Sequence, residues 1–280
     1  MIFYWLQWLI GLTVAVLSGI LSDGTMLERI GLGVLFFVVG SVAAFVVFIL
    51  IGFGIIFLTY RSDGKAIWKS HFLARYIEYV FLAIFAVRIE IEGKENIPKH
   101  HRFVIYSNHI EFTDPIYIKY VFRDHPIAFV SKDSLFKVPF IRQILLFMGG
   151  IPLSRKVGDR TAVDSINTAI RAVENGQPIA IYPEGTRSHA NVINAFRAGS
   201  FRIALRAKAT LVPITMFDVQ KSRFRLRFKP ATIKMAILPP IEPSELETLD
   251  TVDLSNLVFA RLRKKMDEYL AASAQPTAAK

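Results

Sequence analysis

Two long uncharged apolar runs at the start of the chain constrain its fold more than any other feature. Neither Ile2–Leu21 nor Ile30–Tyr60 contains a charged residue. About 20 apolar residues are enough for a helix to cross the hydrocarbon core of a bilayer. Residues 1–60 are therefore predicted to form a transmembrane helical hairpin around the polar turn 22–29. Buried core helices of a globular domain are the alternative.

The basic residues beside these runs predict the orientation of the hairpin. The turn contains one basic residue, Arg29, and two acidic residues, Asp23 and Glu28. Residues 61–75 contain four lysines or arginines and one acidic residue. Cytoplasmic flanks of membrane spans have the excess of lysine and arginine. The sequence therefore predicts a multi-pass protein of the cell inner (plasma) membrane, with the N-terminus and the following domain in the cytoplasm.

The segment 61–87 connects the hairpin to the rest of the chain. It begins with the basic residues and continues as a short apolar stretch. We interpret it as a basic linker and an apolar helix, which lies at the membrane interface or packs on the domain.

The charge and the lack of cysteine narrow the classes of function. The 280 residues have a formal net charge of +11, which indicates an anionic partner such as nucleic acid, acidic lipid, a phosphorylated substrate or an acidic carrier protein. The apolar N-terminus favours the lipid partners, and no aromatic-basic motif supports nucleic-acid binding. Because the chain has no cysteine, disulfides, thiolate nucleophiles and cysteine-ligated metal sites are excluded.

Residues 88–271 alternate short β-type runs with helical segments. The pattern predicts strands at 88–92, 103–107, 127–130, 178–182 and 211–216, and helices at 161–174, 200–208 and 254–270. Such alternation is typical of an α/β domain with a mostly parallel sheet flanked by helices. The small residues at 272–280 are predicted to form a disordered tail.

The segment Tyr106–Pro115 (YSNHIEFTDP) follows one of the predicted strands. Pro115 suits the first turn of a helix, and Asp114 suits the N-cap position. His109 then lies at the carboxyl end of a strand, where open α/β sheets keep their sites. A neutral histidine can take a proton from a hydroxyl while a carboxylate orients its ring. A loop histidine beside a capping aspartate is the alternative.

A second polar segment, Ile181–Ser188 (IYPEGTRS), also follows a predicted strand. Its glycine-containing turn offers backbone N–H groups, a threonine hydroxyl and an arginine fork, a combination that suits a phosphate. Two further cations, Lys132 and Arg155, lie between the two segments in the sequence. A surface loop with a solvated arginine is the alternative.

Four sequence blocks occur in a characteristic order: His-x4-Asp at 109–114, Gly-x-Ile-x-x-x-Arg at 149–155, Pro-Glu-Gly-Thr-Arg at 183–187 and Val-Pro-Ile at 212–214. In this order they resemble the glycerolipid acyltransferase family, most closely its bacterial 1-acyl-sn-glycerol-3-phosphate acyltransferases, over residues 70–240. The resemblance implies a glycerolipid-acyltransferase-like α/β domain with no metal or bound organic cofactor. One departure, Tyr182 where phenylalanine is commoner, lies near the expected acceptor site.

The resemblance also implies a role for each candidate residue. His109 is implied to be the general base on the acceptor hydroxyl and Asp114 to orient it, with direct attack on an acyl thioester. The positions implied to bind the acceptor phosphate are Arg155, Glu184, Gly185, Thr186 and Arg187, with Lys132 as an additional cation. Because Glu184 is an anion, it is expected to hold an arginine rather than to bind phosphate.

The implied reaction moves a fatty acyl group from acyl carrier protein or acyl-coenzyme A to the sn-2 hydroxyl of 1-acyl-glycerol-3-phosphate. Its product is phosphatidic acid, a precursor in phospholipid biosynthesis. The expected partners are the acyl donor, a lysophospholipid acceptor and membrane lipids, with no nucleic acid. The alternative acceptors are another lysophospholipid, glycerol-3-phosphate or a lyso-ornithine lipid, and the non-enzymatic alternative is a membrane-tethered lipid-binding protein.

Residues 221–229 alternate cations with apolar side chains. This spacing predicts a strand with one basic face. Such a face is a docking surface for an acidic carrier protein or anionic lipid, or a solvated strand that its charges protect from aggregation.

Overall fold

A computed structural model describes residues 2–82, 86–154, 160–222 and 230–274. The chain divides into two compact units after Thr59.

The first unit is a pair of antiparallel helices, α1 (Ile2–Leu21) and α2 (Met26–Thr59). Small residues allow the two helices to approach closely. A Cβ added to Gly40 of α2 would lie 3.3 Å from the side chain of Val14 on α1, so glycine leaves room for the neighbouring helix.

The turn between the helices starts α2 with a capping box. The Thr25 N–H donates to Oε2 of Glu28 at 2.7 Å, and the Glu28 N–H donates to Oγ1 of Thr25 at 3.4 Å. Within the described parts of the chain, α2 is the one helix long and apolar enough to cross a membrane, and the apolar stretch of α1, Trp5–Leu21, is shorter. The two helices and their turn match the prediction, and a bilayer crossing by α1 stays a prediction.

The second unit is built on one β-sheet. Its strands are β1 (Val87–Glu92), β2 (Phe103–Ser107), β3 (Ala128–Lys132), β4 (Ile151–Leu153), β5 (Ile179–Ile181), β6 (Thr210–Phe217) and β7 (Ala231–Ile237). Among the described residues their order is β1–β7–β6–β2–β5–β3–β4. Every neighbouring pair is parallel except β6 and β7. The predicted mostly parallel α/β sheet is confirmed.

Helices cover both faces of this sheet. They are α3 (Ile67–Ile77), α4 (Asp114–Val121), α5 (Ile141–Phe147), α6 (Arg160–Glu174), α7 (Arg202–Ala207), α8 (Pro243–Leu246) and α9 (Thr251–Ala274). Because side chains alternate along a strand, Val104 and Tyr106 of β2 join a buried cluster with α6, α7 and α9. Phe103 points the other way and packs on Phe122 at the end of α4, with 6.1 Å between ring centroids.

The helix α3 packs on the domain, which is one of the two arrangements that the sequence left open. Its Ser70 hydroxyl donates to the backbone carbonyl of His125 at 2.7 Å, and both groups are buried. Nζ of Lys69 lies 4.8 Å from the ring centroid of Phe147 in α5. At the other end of the chain, α9 continues to Ala274, past the predicted start of the tail at residue 272.

Most of the predicted basic strand, residues 223–229, lies outside the described residues. Its first residue, Lys221, belongs to a 3-10 turn, Val219–Ser222, and forms an ion pair with Asp218. A strand starting at 221 is therefore wrong, because Asp218 holds that lysine in a turn.

Candidate active site

The carboxyl ends of β2, β5, β3 and β4 meet at one edge of the sheet because these strands are parallel. His109 follows β2, Glu184–Arg187 follows β5, and Lys132 ends β3. Neighbouring strands are about 4.8 Å apart, so the segments after β2 and β5 are adjacent, while β3 is about 10 Å from β2. Arg155 lies outside the described residues.

His109 and Asp114 form the predicted pair. Nδ1 of His109 is 2.8 Å from Oδ2 of Asp114. The aspartate side chain is fully buried, while the imidazole remains 17% exposed. A hydrogen bond from Nδ1–H to the carboxylate leaves Nε2 as the basic nitrogen. The ring is thus oriented and open to a substrate, which is the geometry of a general base.

Asp114 does not cap α4, contrary to the prediction. It is the first residue of the helix, and the N-cap residue is Thr113, which makes no side-chain capping bond. Oδ2 of Asp114 instead accepts the backbone N–H groups of Ile110 at 2.7 Å and Glu111 at 3.1 Å. The carboxylate therefore holds both the imidazole and the loop that carries it.

Asn108 fixes the backbone just before His109. Its Nδ2 donates to the carbonyl of Met216 at 3.0 Å, and the Met216 N–H donates to Oδ1 of Asn108 at 2.7 Å. This side chain extends the contact between β2 and β6 beyond the last backbone pair. The sequence analysis did not predict that Asn108 bonds the neighbouring strand. The one local signal is its position as an amide side chain directly after a buried strand, because buried polar groups are normally hydrogen-bonded.

Glu184 joins the loop of His109 to a second loop. Its Oε1 accepts the His109 N–H at 2.8 Å, and its Oε2 accepts the Asn194 N–H at 3.0 Å. None of the arginines in the described part of the chain pairs with this carboxylate. Within the described ranges Glu184 therefore holds two backbone N–H groups and no arginine, and a pairing with Arg155, which lies outside them, stays a prediction.

Burial raises the pKa of Asp114, and the hydrogen bonds from His109, Ile110 and Glu111 act against that rise. Burial also raises the pKa of Glu184, against the N–H groups of His109 and Asn194. In both cases the N–H donors favour the carboxylate form. The site therefore places two acids beside one histidine, and each acid has donors that stabilise its negative charge.

Tyr182 stacks on the catalytic candidate. The rings of His109 and Tyr182 are 4.1 Å apart between centroids and inclined by 17°. The Tyr182 hydroxyl is buried and has no hydrogen-bond partner among the described residues. This stacking therefore holds the plane of the imidazole ring, in addition to the hydrogen bond between Nδ1 and Asp114.

The turn after β5 has the conformation that a glycine allows. Gly185 has φ +71°, and its N–H donates to the carbonyl of Tyr182 at 3.1 Å. Thr186 and Arg187 are exposed beside it. The guanidinium of Arg197 packs over the turn, since a Cβ on Gly185 would lie 3.0 Å from its Nε. Arg197 was not assigned to the site from the sequence, because its separation from the turn gives no local signal.

Backbone hydrogen bonds tie this turn to the histidine loop. The Ser188 N–H donates to the carbonyl of His109 at 2.8 Å, and the His189 N–H donates to the carbonyl of Ile110 at 3.1 Å. The base and the arginine-bearing turn are therefore held side by side.

A protein-family model described as Acyltransferase matches residues 88–217, which run from β1 to the end of β6 and include the described part of the site. Over these residues the chain is similar to the acyltransferase family. The matched residues include His109 and Asp114, the hydrogen-bonded pair described above.

Curated proteins of known name are similar to this chain. A 1-acyl-sn-glycerol-3-phosphate acyltransferase of Borreliella burgdorferi is 28% identical over 190 residues, which cover 67% of this chain and 75% of the relative. A chloroplastic 1-acyl-sn-glycerol-3-phosphate acyltransferase of Arabidopsis thaliana is 30% identical over 194 residues, which cover 68% of this chain and 52% of the relative.

The crystal structure of the 1-acyl-sn-glycerophosphate (LPA) acyltransferase PlsC from Thermotoga maritima shares the fold. It superposes with a TM-score of 0.62 at 23% identity, covering 78% of this chain and 88% of that one. The acyltransferase fold predicted from the sequence is therefore confirmed by a solved structure.

Proposed function

We propose that this chain transfers a fatty acyl group from an acyl thioester to the sn-2 hydroxyl of 1-acyl-glycerol-3-phosphate, which gives phosphatidic acid for phospholipid biosynthesis. The single observation that carries the proposal is the pair of His109 and Asp114, with 2.8 Å between Nδ1 and Oδ2, beside the arginine-bearing turn. The names of the similar proteins support this choice of acceptor.

The proposed reaction begins with proton removal. Nε2 of His109 takes the proton of the sn-2 hydroxyl while the oxygen attacks the thioester carbonyl carbon. The tetrahedral adduct then collapses, the C–S bond breaks, and the imidazolium returns its proton to the thiolate. The products are phosphatidic acid and the free thiol of the carrier, with no acyl group bound to the enzyme.

Two groups stabilise the imidazolium in this scheme. Asp114 supplies a buried negative charge on the Nδ1 side, and Tyr182 supplies an aromatic face 4.1 Å from the imidazole ring. Glu184 acts through the backbone N–H of His109 and is a positioning residue. These contacts keep Nε2 aimed at the acceptor throughout the proton transfer.

The acceptor phosphate is proposed to bind at the turn after β5. Arg187 and Thr186 are exposed there, and Arg197 lies against Gly185. An arginine fork binds a phosphate through paired charge-assisted hydrogen bonds. Lys132 lies two strands from His109, so it suits a more distant part of the substrate. Arg155 is retained as a proposed ligand from the sequence.

The reaction is proposed to take place at the cytoplasmic face of the cell inner membrane. The apolar helix α2 supports membrane attachment, and the basic residues at 61–75 favour the cytoplasmic side. A multi-pass topology would require α1 to cross the bilayer as well. Either acyl carrier protein or acyl-coenzyme A serves as the thioester donor in this scheme.

A competition between acceptors tests the proposed function. The purified chain in vesicles is given an equimolar mixture of 1-acyl-glycerol-3-phosphate, lysophosphatidylethanolamine, glycerol-3-phosphate and lyso-ornithine lipid, with each thioester donor in turn. Mass spectrometry of the lipids is expected to find phosphatidic acid as the main product. A different main product would reassign the acceptor, and no acylated product with any donor would refute the enzyme.

A further inference from the structure

An exposed apolar ridge follows β3 at the same edge of the sheet as His109. We define the ridge as Leu135, Val138, Phe140 and Ile141, whose exposed fractions run from 38% to 68%. A buried core or a folded helix normally hides most such side chains, and a contiguous exposed set marks an interaction surface.

The backbone of the ridge presents its largest side chain to solvent. Phe140 has φ +66° and is 68% exposed. A left-handed φ is unfavourable for a residue with a Cβ, and bulky residues adopt it rarely. Strained positions of this kind concentrate at functional sites. The conformation of Phe140 is therefore a reason to look for a partner of the ridge.

The charges around the ridge indicate what that partner is. Lys132, Lys137 and Arg142 are exposed on either side of it, and Asp133 is the one acid between residues 132 and 142. Aromatic and aliphatic side chains flanked by lysine and arginine suit the interface of a bilayer with anionic lipids. The apolar side chains enter the acyl boundary while the cations stay at the headgroups.

Another exposed apolar side chain lies beside α5, the helix that begins at Ile141 of the ridge. Trp68 of α3 is 48% exposed, and its ring meets Phe147 of α5 edge-on, with 5.9 Å between centroids. Tryptophan is enriched at membrane–water interfaces. The chain reaches Trp68 soon after Thr59, the end of the apolar helix α2. A bilayer that holds α2 thus has this domain tethered at its surface.

We propose that the ridge docks the acyltransferase domain onto an anionic bilayer and presents the sheet edge that carries His109 to membrane lipids. This deepens the proposed function, on which it rests, because it supplies a route for a lysophospholipid to reach the base without leaving the membrane. Phe112, 48% exposed in the histidine loop, extends the apolar surface toward the site.

Because the chain has no cysteine, a single introduced cysteine can be labelled without other changes. Phe140→Cys and Leu135→Cys, each carrying an NBD fluorophore, are reconstituted in full-length protein at high lipid-to-protein ratio. The vesicles contain phosphatidylglycerol and phosphatidylcholine. Val252→Cys is the matched control, since Val252 is 53% exposed on α9, the helix that packs on the opposite face of the sheet from Phe103.

The labels at 140 and 135 are expected to be quenched by doxyl lipids and protected from aqueous iodide, and the label at 252 is expected to behave in the opposite way. Equal iodide quenching at 140, 135 and 252 would overturn the proposal. Protection that disappears on further lipid dilution would also overturn the proposal, because it would show that a second copy of the chain covers the ridge. Protection that appears only after acidic carrier protein is added would overturn it as well, because the carrier protein would then be the partner. Because two ridge positions are labelled separately, the test can still be read if one of the two variants does not fold.

A kinetic measurement separates the ridge from the chemistry. Phe140→Asp is expected to raise the KM for acceptor presented in vesicles by about tenfold or more, since a charged residue replaces an inserted aromatic one. The rate with a short-chain soluble acceptor should not change, and Val252→Asp should change neither. An unchanged vesicle KM would contradict the ridge. If the labels insert but the wild-type protein transfers no acyl group, the proposed function is refuted while docking of the ridge on the bilayer is supported.

Discussion

Replacing Asp114 by asparagine removes the negative charge beside His109 while leaving most of its geometry. Oδ2 accepts three hydrogen bonds, from Nδ1 of His109 at 2.8 Å and from the N–H groups of Ile110 at 2.7 Å and Glu111 at 3.1 Å. Oδ1 accepts one long bond from Glu111 at 3.2 Å. The amide oxygen should therefore take the place of Oδ2, because the opposite orientation would turn the NH2 group toward all three donors.

The size of the expected loss follows from the missing charge. Two unit charges about 4 Å apart attract each other by about 4 kcal/mol at an effective dielectric constant of about 20. That attraction stabilises the imidazolium in the transition state. Since about 1.36 kcal/mol corresponds to a factor of ten in rate, we expect Asp114→Asn to lower kcat about 10³-fold. The hydrogen bond to Nδ1–H is retained, so the tautomer does not change.

Asp114→Ala is the matched comparison. It leaves the buried N–H groups of Ile110 and Glu111 without their acceptor, which costs about 1–3 kcal/mol for each unpaired group. We therefore expect Asp114→Ala to lower the melting temperature as well as kcat, and Asp114→Asn to lower kcat alone. Initial rates of phosphatidic acid formation and thermal melts in detergent measure both quantities. A rate for Asp114→Asn within tenfold of wild type would show that the charge of Asp114 does not stabilise the imidazolium. An equal loss of melting temperature in both variants would show that asparagine does not keep the hydrogen bonds to Ile110 and Glu111.

Three further predictions follow from the site and its surroundings. Tyr182→Ala should lower kcat by about 3- to 30-fold because the imidazolium loses the aromatic face, whereas Tyr182→Phe should keep kcat and not lower the free energy of unfolding, since the hydroxyl has no described partner. Arg187→Ala should raise the KM for the phosphorylated acceptor by about 10- to 100-fold, with Arg206→Ala of α7 as an unaffected control, and an unchanged KM would place the phosphate elsewhere. Burial lowers the pKa of His125 in the folded chain from 6.5 to about 4, so protonation of this histidine favours the unfolded chain. The free energy of unfolding should therefore lose no contribution from His125 above pH 6.5 and should fall between pH 6.5 and pH 4. Urea titrations at several pH values should show a smaller fall in His125→Leu.

Strands with long apolar runs could be predicted from the sequence because burial on both faces produces an uninterrupted pattern. Phe103–Ser107 was predicted with the bounds that β2 has in the structure. Two other strands, β4 and β7, were missed. Ile151–Leu153 is too short to display a period, and Ala231–Ile237 has a lysine within its apolar pattern and pairs antiparallel with β6.

The pair of His109 and Asp114 could be predicted because both residues lie in one loop, and their spacing is a local property. The supporting contacts could not, because they join distant parts of the chain. Glu184 reaches His109 across 75 positions, and Asn108 reaches Met216 across 108. The same limitation applies to Glu184. Its charge suggested an arginine partner, while the fold supplied two backbone N–H groups that no local pattern displays.

The error about Asp114 has a related cause. Aspartate before proline at a helix start is typical of an N-cap, and the helix does begin at this position. The loop between His109 and Asp114 folds back, however, and its backbone N–H groups donate to the Asp114 carboxylate. The carboxylate therefore points to the loop that carries His109 and away from the first N–H groups of the helix.

The most direct test of the account measures acyl transfer by purified wild-type and His109→Ala chains in the same vesicles, with 1-acyl-glycerol-3-phosphate and an acyl thioester. General base catalysis contributes about 10²–10⁴-fold, so the wild-type chain should form phosphatidic acid and His109→Ala should lose at least about 100-fold of that rate. The two proteins should have the same helical content by circular dichroism. A folded His109→Ala chain that forms phosphatidic acid at a rate near wild type would contradict the assignment of His109 as the base.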